Sequence, residues 1–423
     1  MRKLMTSAAA LILSASPVFA ADLPVAPEPV EYVQICDAYG AGYYFIPGTD
    51  TCLRIRGRIR AEYRWNDFGD GPNAWSERYR NSTSTRARGY LRMDSRTQTE
   101  FGLLRTYMDL YATVDTPGFD SFSSQNLDNE PVGSFNDIET IMTLDKAFIQ
   151  FGGMTIGLAQ SFYDFWTGYA YGAITTVAYS DRNTWLGGYT FDFGNGFSWS
   201  ISAEDRTYRQ QDYYYGEYLD ERFRDVEGYA GQRWPNFVTN FRVDQGWGSA
   251  QFMAAIQEVR PLEAAADGKV GYAIGAGVEF NLGFLGNSQF ALQGSFGQGA
   301  LGYINSDWGE VVHDASTVYG DVKSGDGVAT GWSIAGGIYT EWTPEWNSAL
   351  QASYSEADQY RLPDHDQWDV VGKIGWTPVH GFEIGSEIAY RSLHFSDAYL
   401  DGVNEAPRDR DLVSILIRVQ RDF

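Results

Sequence analysis

From Cys52 to Trp65 the chain reads CLRIRGRIRAEYRW. Leu53, Ile55, Gly57, Ile59, Ala61, Tyr63 and Trp65 alternate strictly with Arg54, Arg56, Arg58, Arg60, Glu62 and Arg64. Successive strand residues point to opposite faces, so as a strand this segment has one apolar, aromatic face and one face carrying five guanidiniums. In the dry core of a sandwich or propeller those charges would lose water and gain no counter-ions. A sheet closed around a wet interior, with its apolar face turned to lipid, removes the conflict. That architecture is the transmembrane β-barrel.

The next two segments continue the pattern. Arg86, Arg88, Tyr90, Arg92, Asp94 and Arg96 share one face, opposite Ala87, Gly89, Leu91 and Met93, and Arg105, Tyr107, Asp109 and Tyr111 then face away from Leu104, Thr106, Met108, Leu110 and Ala112. A basic stripe on one strand is often just a solvated outer face. Three adjacent stripes with apolar reverse faces predict a pore-lining wall of Arg54, Arg56, Arg58, Arg60, Arg88, Arg92, Arg96 and Arg105. Strand order predicts that Arg58, Arg60, Arg92 and Arg105 sit at similar depth near mid-height and set ion preference.

The N-terminus agrees with an exported barrel. Arg2 and Lys3 precede an apolar run from Leu4 to about Ala15, and Val18-Phe19-Ala20 supplies small residues before Ala21, the form of a secretory signal peptide over 1–20. The run is short of the roughly 20 residues a spanning helix needs. With Lys+Arg 32 against Asp+Glu 55 and a formal charge of −23, nucleic acid is a poor partner. Residues 54–105 nevertheless hold twelve Arg against six acids, so this part is basic within an acidic whole. Cys36 and Cys52, the two cysteines, are expected to form a disulfide in an oxidising compartment. They and the four scattered His show no metal-ligand spacing, and no cofactor is expected.

Period-2 segments bounded by turn residues number sixteen along the chain, running from 52–65 to 411–423 and including 154–165, 197–209 and 289–304. Short connections such as Gly152-Gly153 and Gly194-Asn195-Gly196 alternate with long, mostly acidic ones centred near 75, 127, 175, 222, 265, 317, 363 and 401. Short periplasmic turns opposite long external loops are the barrel pattern. Phe193/Phe197, Trp342/Trp346 and Trp376/Phe382 flank short turns, where an interfacial girdle belongs. The expected fold is an all-β, 16-stranded antiparallel transmembrane barrel over 52–423, preceded by a Pro-rich periplasmic arm and disulfide loop over 21–51. The last strand would pair with the first and remove both edges.

The stretch CDAYGAGYYFIPGTDTCLRIRG from Cys36 to Gly57, the preceding ADLPVAPEPVEY and the terminal Phe423 resemble the general porins of alphaproteobacteria. The resemblance implies a homotrimer in the outer membrane, among lipid and lipopolysaccharide, passing small hydrophilic solutes by passive diffusion. It also implies that the third long loop, WTGYAYGAITTVAYSDRN (166–183), folds inward as a constriction. Its candidate residues are Tyr169, Tyr171, Tyr179, Asp181 and Arg182, with Asp164 just before it. Phe423 resembles the signal read by barrel-assembly machinery, although Arg421 stands where such signals have an apolar residue. Ala21 and Asp22 resemble termini joined to peptidoglycan.

Two other classes compete. Carboxylate pairs such as Asp192/Glu204 or Glu383/Glu387 could serve an exported glycosidase, but an acidic chain supplies such pairs by chance. Gly297-Gln298-Gly299-Ala300-Leu301-Gly302 matches a dinucleotide fingerprint with no helix pattern after it. A substrate-specific channel is the nearer alternative, and the acidic loop Gln210–Trp234 could bind divalent cations or lipopolysaccharide-linked ions; a plain solvated loop is the better reading of it.

Overall fold

The structure is a computed structural model. It describes residue 34 to the C-terminus except 67, 70–74, 76–80, 117–118, 120–138, 211–229, 261–267, 284–285, 307–320, 322–327, 359–363 and 396–408. The expected leader, the Pro-rich arm, Ala21, Asp22 and most of the 210–234 loop lie outside the described residues.

A two-residue strand β1 (Tyr44–Phe45) precedes β2 (Cys52–Trp65), β3 (Thr83–Thr99), β4 (Gly102–Asp115), β5 (Glu139–Phe151) and β6 (Met154–Gln160). Then come β7 (Asn183–Gly194), β8 (Phe197–Glu204), β9 (Asn236–Gln245), β10 (Gly248–Val259), β11 (Lys269–Leu282) and β12 (Asn287–Gln298). The chain ends with β13 (Thr330–Thr343), β14 (Trp346–Asp358), β15 (His365–Val379), β16 (Phe382–Phe395) and β17 (Arg410–Asp422). From β2 to β17 every strand pairs antiparallel with the next, and β17 pairs back onto β2 from Ile415↔Trp65 to Asp422↔Arg58. The sheet is a closed barrel of sixteen strands.

Beyond Asp422 the seam is carried by Phe423, which exchanges backbone hydrogen bonds with Gly57 at 2.8 and 3.0 Å. Below that point β17 has ended, and β1 covers the free edge of β2 through Tyr44↔Leu53 and Phe45↔Cys52. An unpaired edge would otherwise present open backbone groups. The Cys36–Cys52 disulfide, with Cα atoms 6.0 Å apart, ties this hairpin to the barrel.

The two faces are the reverse of a soluble protein's. Ile59, Phe241, Leu350 and Ile374 are exposed, whereas Gln293, Gln351, Asp369 and Glu387 are buried. Beside the short turns, Trp346 stacks on Trp376 at 6.0 Å, and Trp199 lies between Phe191 and Phe241 at 5.1 and 5.8 Å, forming an aromatic belt on the apolar face.

Three expected strands end early. The 154–165 segment stops at Gln160, because the buried Glu204 carboxylate takes the Ser161 hydroxyl (2.7 Å) and the Phe162 amide (3.0 Å) and pulls the chain off the ladder. The 197–209 segment stops at Glu204, where the Asp205 carboxylate accepts from the Thr207 amide and starts a 3-10 turn. The 289–304 segment stops at Gln298, since Gly299 turns the backbone to φ +60° and Asp321 accepts the Leu301 amide at 2.7 Å. The glycine-rich 297–302 stretch is thus a strand end and a three-residue 3-10 turn.

Candidate pore site

The eight wall arginines share the polar face of β2, β3 and β4. The ladder sets Arg60 opposite Arg88, Arg56 opposite Arg92, Arg58 opposite Tyr90 and Arg96 between Cys52 and Arg105. Arg60 and Arg105 therefore belong to rungs eight residues of β2 apart, about 26 Å along a strand. Arg92, opposite Arg56, stays within four rungs of Arg58 and Arg60, so the expectation of similar depth is corrected for Arg105, and the arginines form a column. The tight turn between Thr99 and Gly102 places Arg105 low, at the level of the disulfide.

Acids are threaded into the column. Asp94 accepts from Arg96 and Arg105 at 3.0 Å each and lies 3.8 Å from Arg54. Asp109 holds Arg92 at 2.7 Å and Asp422 holds Arg58. At the foot of the column the N-terminal hairpin folds against it: the buried Tyr43 ring carries the guanidiniums of Arg54 (4.5 Å) and Arg96 (5.1 Å). Burial, and then Asp94 beside it, raises the Tyr43 pKa, so the phenol stays neutral.

The segment between β6 and β7 crosses to other strands. It starts at Glu204 on β8. The Phe162 carbonyl accepts from Asn240 of β9, and the Trp166 amide donates to Gln293 of β12. The Tyr169 and Ala170 amides donate to Gln351 of β14 at 2.8 and 3.1 Å. At its tip the Glu387 carboxylate of β16 gathers four backbone amides, from Tyr171 (2.6 Å), Gly172 (3.1 Å), Ala173 (3.2 Å) and Ile174 (3.4 Å). A buried carboxylate with that many N–H donors is a strong anchor.

The tyrosines serve as struts. Tyr169 donates its hydroxyl to Glu279 at 2.6 Å, and Tyr171 donates to Glu383 while its ring lies between Lys373 (4.4 Å) and the Arg418 guanidinium (4.0 Å). Burial and the acceptor carboxylates push both phenols upward in pKa, so they remain donors. Tyr179 is buried edge-on to Trp166 at 5.6 Å.

Asp164 is no free acid. Its side chain is fully buried, holds Arg209 at 2.6 Å, and accepts from Ser180 and from the Arg182 amide, closing the base of the segment. The Arg182 side chain donates to the Ser306 carbonyl. Asp181 is exposed.

The sequence model of a family described as "Porin subfamily" matches residues 22–411. The chain belongs to the porin subfamily. Porin Omp2b of Brucella suis is 29% identical over 436 residues, covering 100% of this chain and 99% of the relative. Porin Omp2b of Brucella abortus (strain 2308) is 30% identical over 401 residues, 92% of each. Among solved structures, the outer membrane channel DcaP of Acinetobacter baumannii superposes with a TM-score of 0.63 at 14% identity, over 90% of this chain and 99% of that one; at that identity the likeness concerns fold alone. This porin is an outer-membrane, multi-pass β-barrel that forms a channel for passive diffusion.

The porin's anchors, Gln351, Glu383, Glu387 and Arg209, escaped the sequence reading as parts of the site. Glu383 and Glu387 sit four apart on one face of a strand, and that spacing had suggested an enzymatic pair. For the two glutamates the available signal was their place on the polar face of one strand, two residues either side of Gly385.

Proposed function

We propose that the segment 161–182 and the arginine column form the two sides of the constriction, and that solutes pass between them. One observation carries this reading. The hydrogen bonds described above that seat the segment run to β8, β9, β12, β14 and β16, and among the described residues none of these bonds goes to the β2–β4 wall. In this reading the arginines oppose the cations that the acidic external connections enrich, giving weak cation preference, while desolvation and the neighbouring Asp164 carboxylate push the Asp181 pKa up to about 7, so that its contribution to the lumen's charge grows as pH rises through neutrality. Changing Arg92 and Arg105 to Ser removes two cations and frees Asp109, while Asp94 keeps Arg96 and Arg54. Cation selectivity, read as reversal potential across a salt gradient, should rise at low salt and less at high salt. An unchanged reversal potential would remove the column from the permeation path.

The reading extends to a homotrimer contacting lipid and lipopolysaccharide, with residues 1–20 as the export leader, Phe423 as the assembly signal and Ala21–Asp22 as a tether to peptidoglycan. The family membership supports the trimer. Muropeptide adducts on Ala21 after lysozyme digestion of native envelopes test the tether, and a uniformly free amine there would refute it.

A further inference from the structure

The column holds more positive charge than its neighbours neutralise. Asp94 is shared among three arginines, and Asp109 and Asp422 each serve one. Glu62, 3.8 Å from Arg60, is already bonded by Arg418. Among the described residues no carboxylate pairs with Arg56 or Arg88; Arg88 donates to the Thr113 hydroxyl at 2.7 Å and the Tyr90 hydroxyl at 3.4 Å. Arg60 exposes 12% of its side chain, and its Nε is buried without a hydrogen-bond partner. Yet Arg60 and Arg88 face each other across the ladder, an arrangement that costs stability when like charges stand directly opposite. The repulsion is stronger beside a low-dielectric wall than in bulk water.

All of this is arranged about one ring. The guanidiniums of Arg92, Arg60, Arg58 and Arg88 lie 5.1, 5.2, 5.8 and 6.0 Å from the Tyr90 ring centre. Asp109 and Asp422 neutralise Arg92 and Arg58, so the half-enclosed cluster around this ring keeps the charge of Arg60 and Arg88 to be balanced from solution. Guanidinium forks match the paired oxygens of carboxylate and phosphate far better than a spherical ion.

We propose that Arg60, Arg88 and Tyr90, with Arg56 on the adjoining rungs, form a saturable site for a small oxyanion of charge −2, a phosphate or a compact dicarboxylate, on the permeation path. The proposal rests on the column lining the lumen and adds to it that one class of solute binds there rather than merely passing.

The test is chloride current through the purified porin in planar bilayers at constant ionic strength, with inorganic phosphate added in one arm and malonate in the other. The current should fall saturably, with half-effect at low millimolar concentration. Saturation by phosphate, malonate or both supports the site and tells which oxygens it prefers. No saturation in either arm overturns it, with the wild-type protein alone. In the double variant Arg60→Gln/Arg88→Gln, checked to migrate as the same oligomer, the half-effect concentration should rise at least tenfold. An unchanged value refutes the assignment to these residues. The chloride reversal potential separates the two readings. If the variant shifts it while the wild type shows no saturation, the column lines the lumen and the binding site is wrong; if nothing moves, both readings fall.

Discussion

At the scale of single residues, Glu387 has the clearest task. Its carboxylate fastens four amides of the segment tip, and hydrogen bonds to a charged group are worth about 1.5–3 kcal/mol each at most. Glu387→Ala should loosen the tip by about 2–4 kcal/mol and raise single-channel conductance with added current noise; a conductance equal to wild type would mean that the tip does not narrow the pore. Gly385 tests the same contact from the other side. A Cβ there would stand 1.9 Å from the Tyr171 hydroxyl and 2.8 Å from the Ile374 carbonyl. Gly385→Val should therefore mimic Glu387→Ala in conductance, although it leaves every anchoring carboxylate in place. Sequence patterning put Glu387 on the polar face and could go no further. Which backbone it would meet depends on a partner 213 to 216 positions away, and no local period encodes that.

At the scale of elements, the hairpin from Ile35 to Thr51 and the shortened β6 show the two limits of legibility. The disulfide was readable from compartment and count. That the bridged loop would lay Tyr43 between Arg54 and Arg96 was not, since the alternation of β2 is complete without it. Replacing Cys36 and Cys52 by Ser removes the constraint on a 16-residue separation, worth about 3 kcal/mol in the chain-entropy model. Hydrogen–deuterium exchange should then speed up across Tyr43–Phe45 and leave β9–β14 unchanged; equal protection with and without the bridge would show that the ring contacts alone hold the hairpin. For β6 the apolar alternation runs past Gln160 into Ser161–Phe165, so the period alone overshoots. Capture by Glu204, a tertiary contact, decides the end.

For the whole molecule, strand count, closure and the inverted faces were legible, because period-2 alternation and alternating loop length are repeated in every hairpin. A chain with this apolar outer face should run as a heat-modifiable oligomer: native and boiled samples should migrate differently in detergent gels, with β-rich circular dichroism. A single band independent of heating would contradict the trimer. What stayed illegible was which strands the 161–182 segment would bond to and the vertical spread of the arginines, because both depend on register accumulated around the ring.

The seam between Phe423 and Gly57 has a temporal consequence. Phe423 and a residue of the first barrel strand must meet, at the largest sequence separation the barrel contains, and loop-closure entropy makes such contacts slow to form. Until the C-terminus is delivered, β2 keeps a bare edge that can recruit another chain. Closure of the circuit thus waits on β17: chains lacking 410–423 should never acquire heat-modifiable mobility in detergent, and in cells they should be cleared by envelope proteases while chains carrying β17 persist.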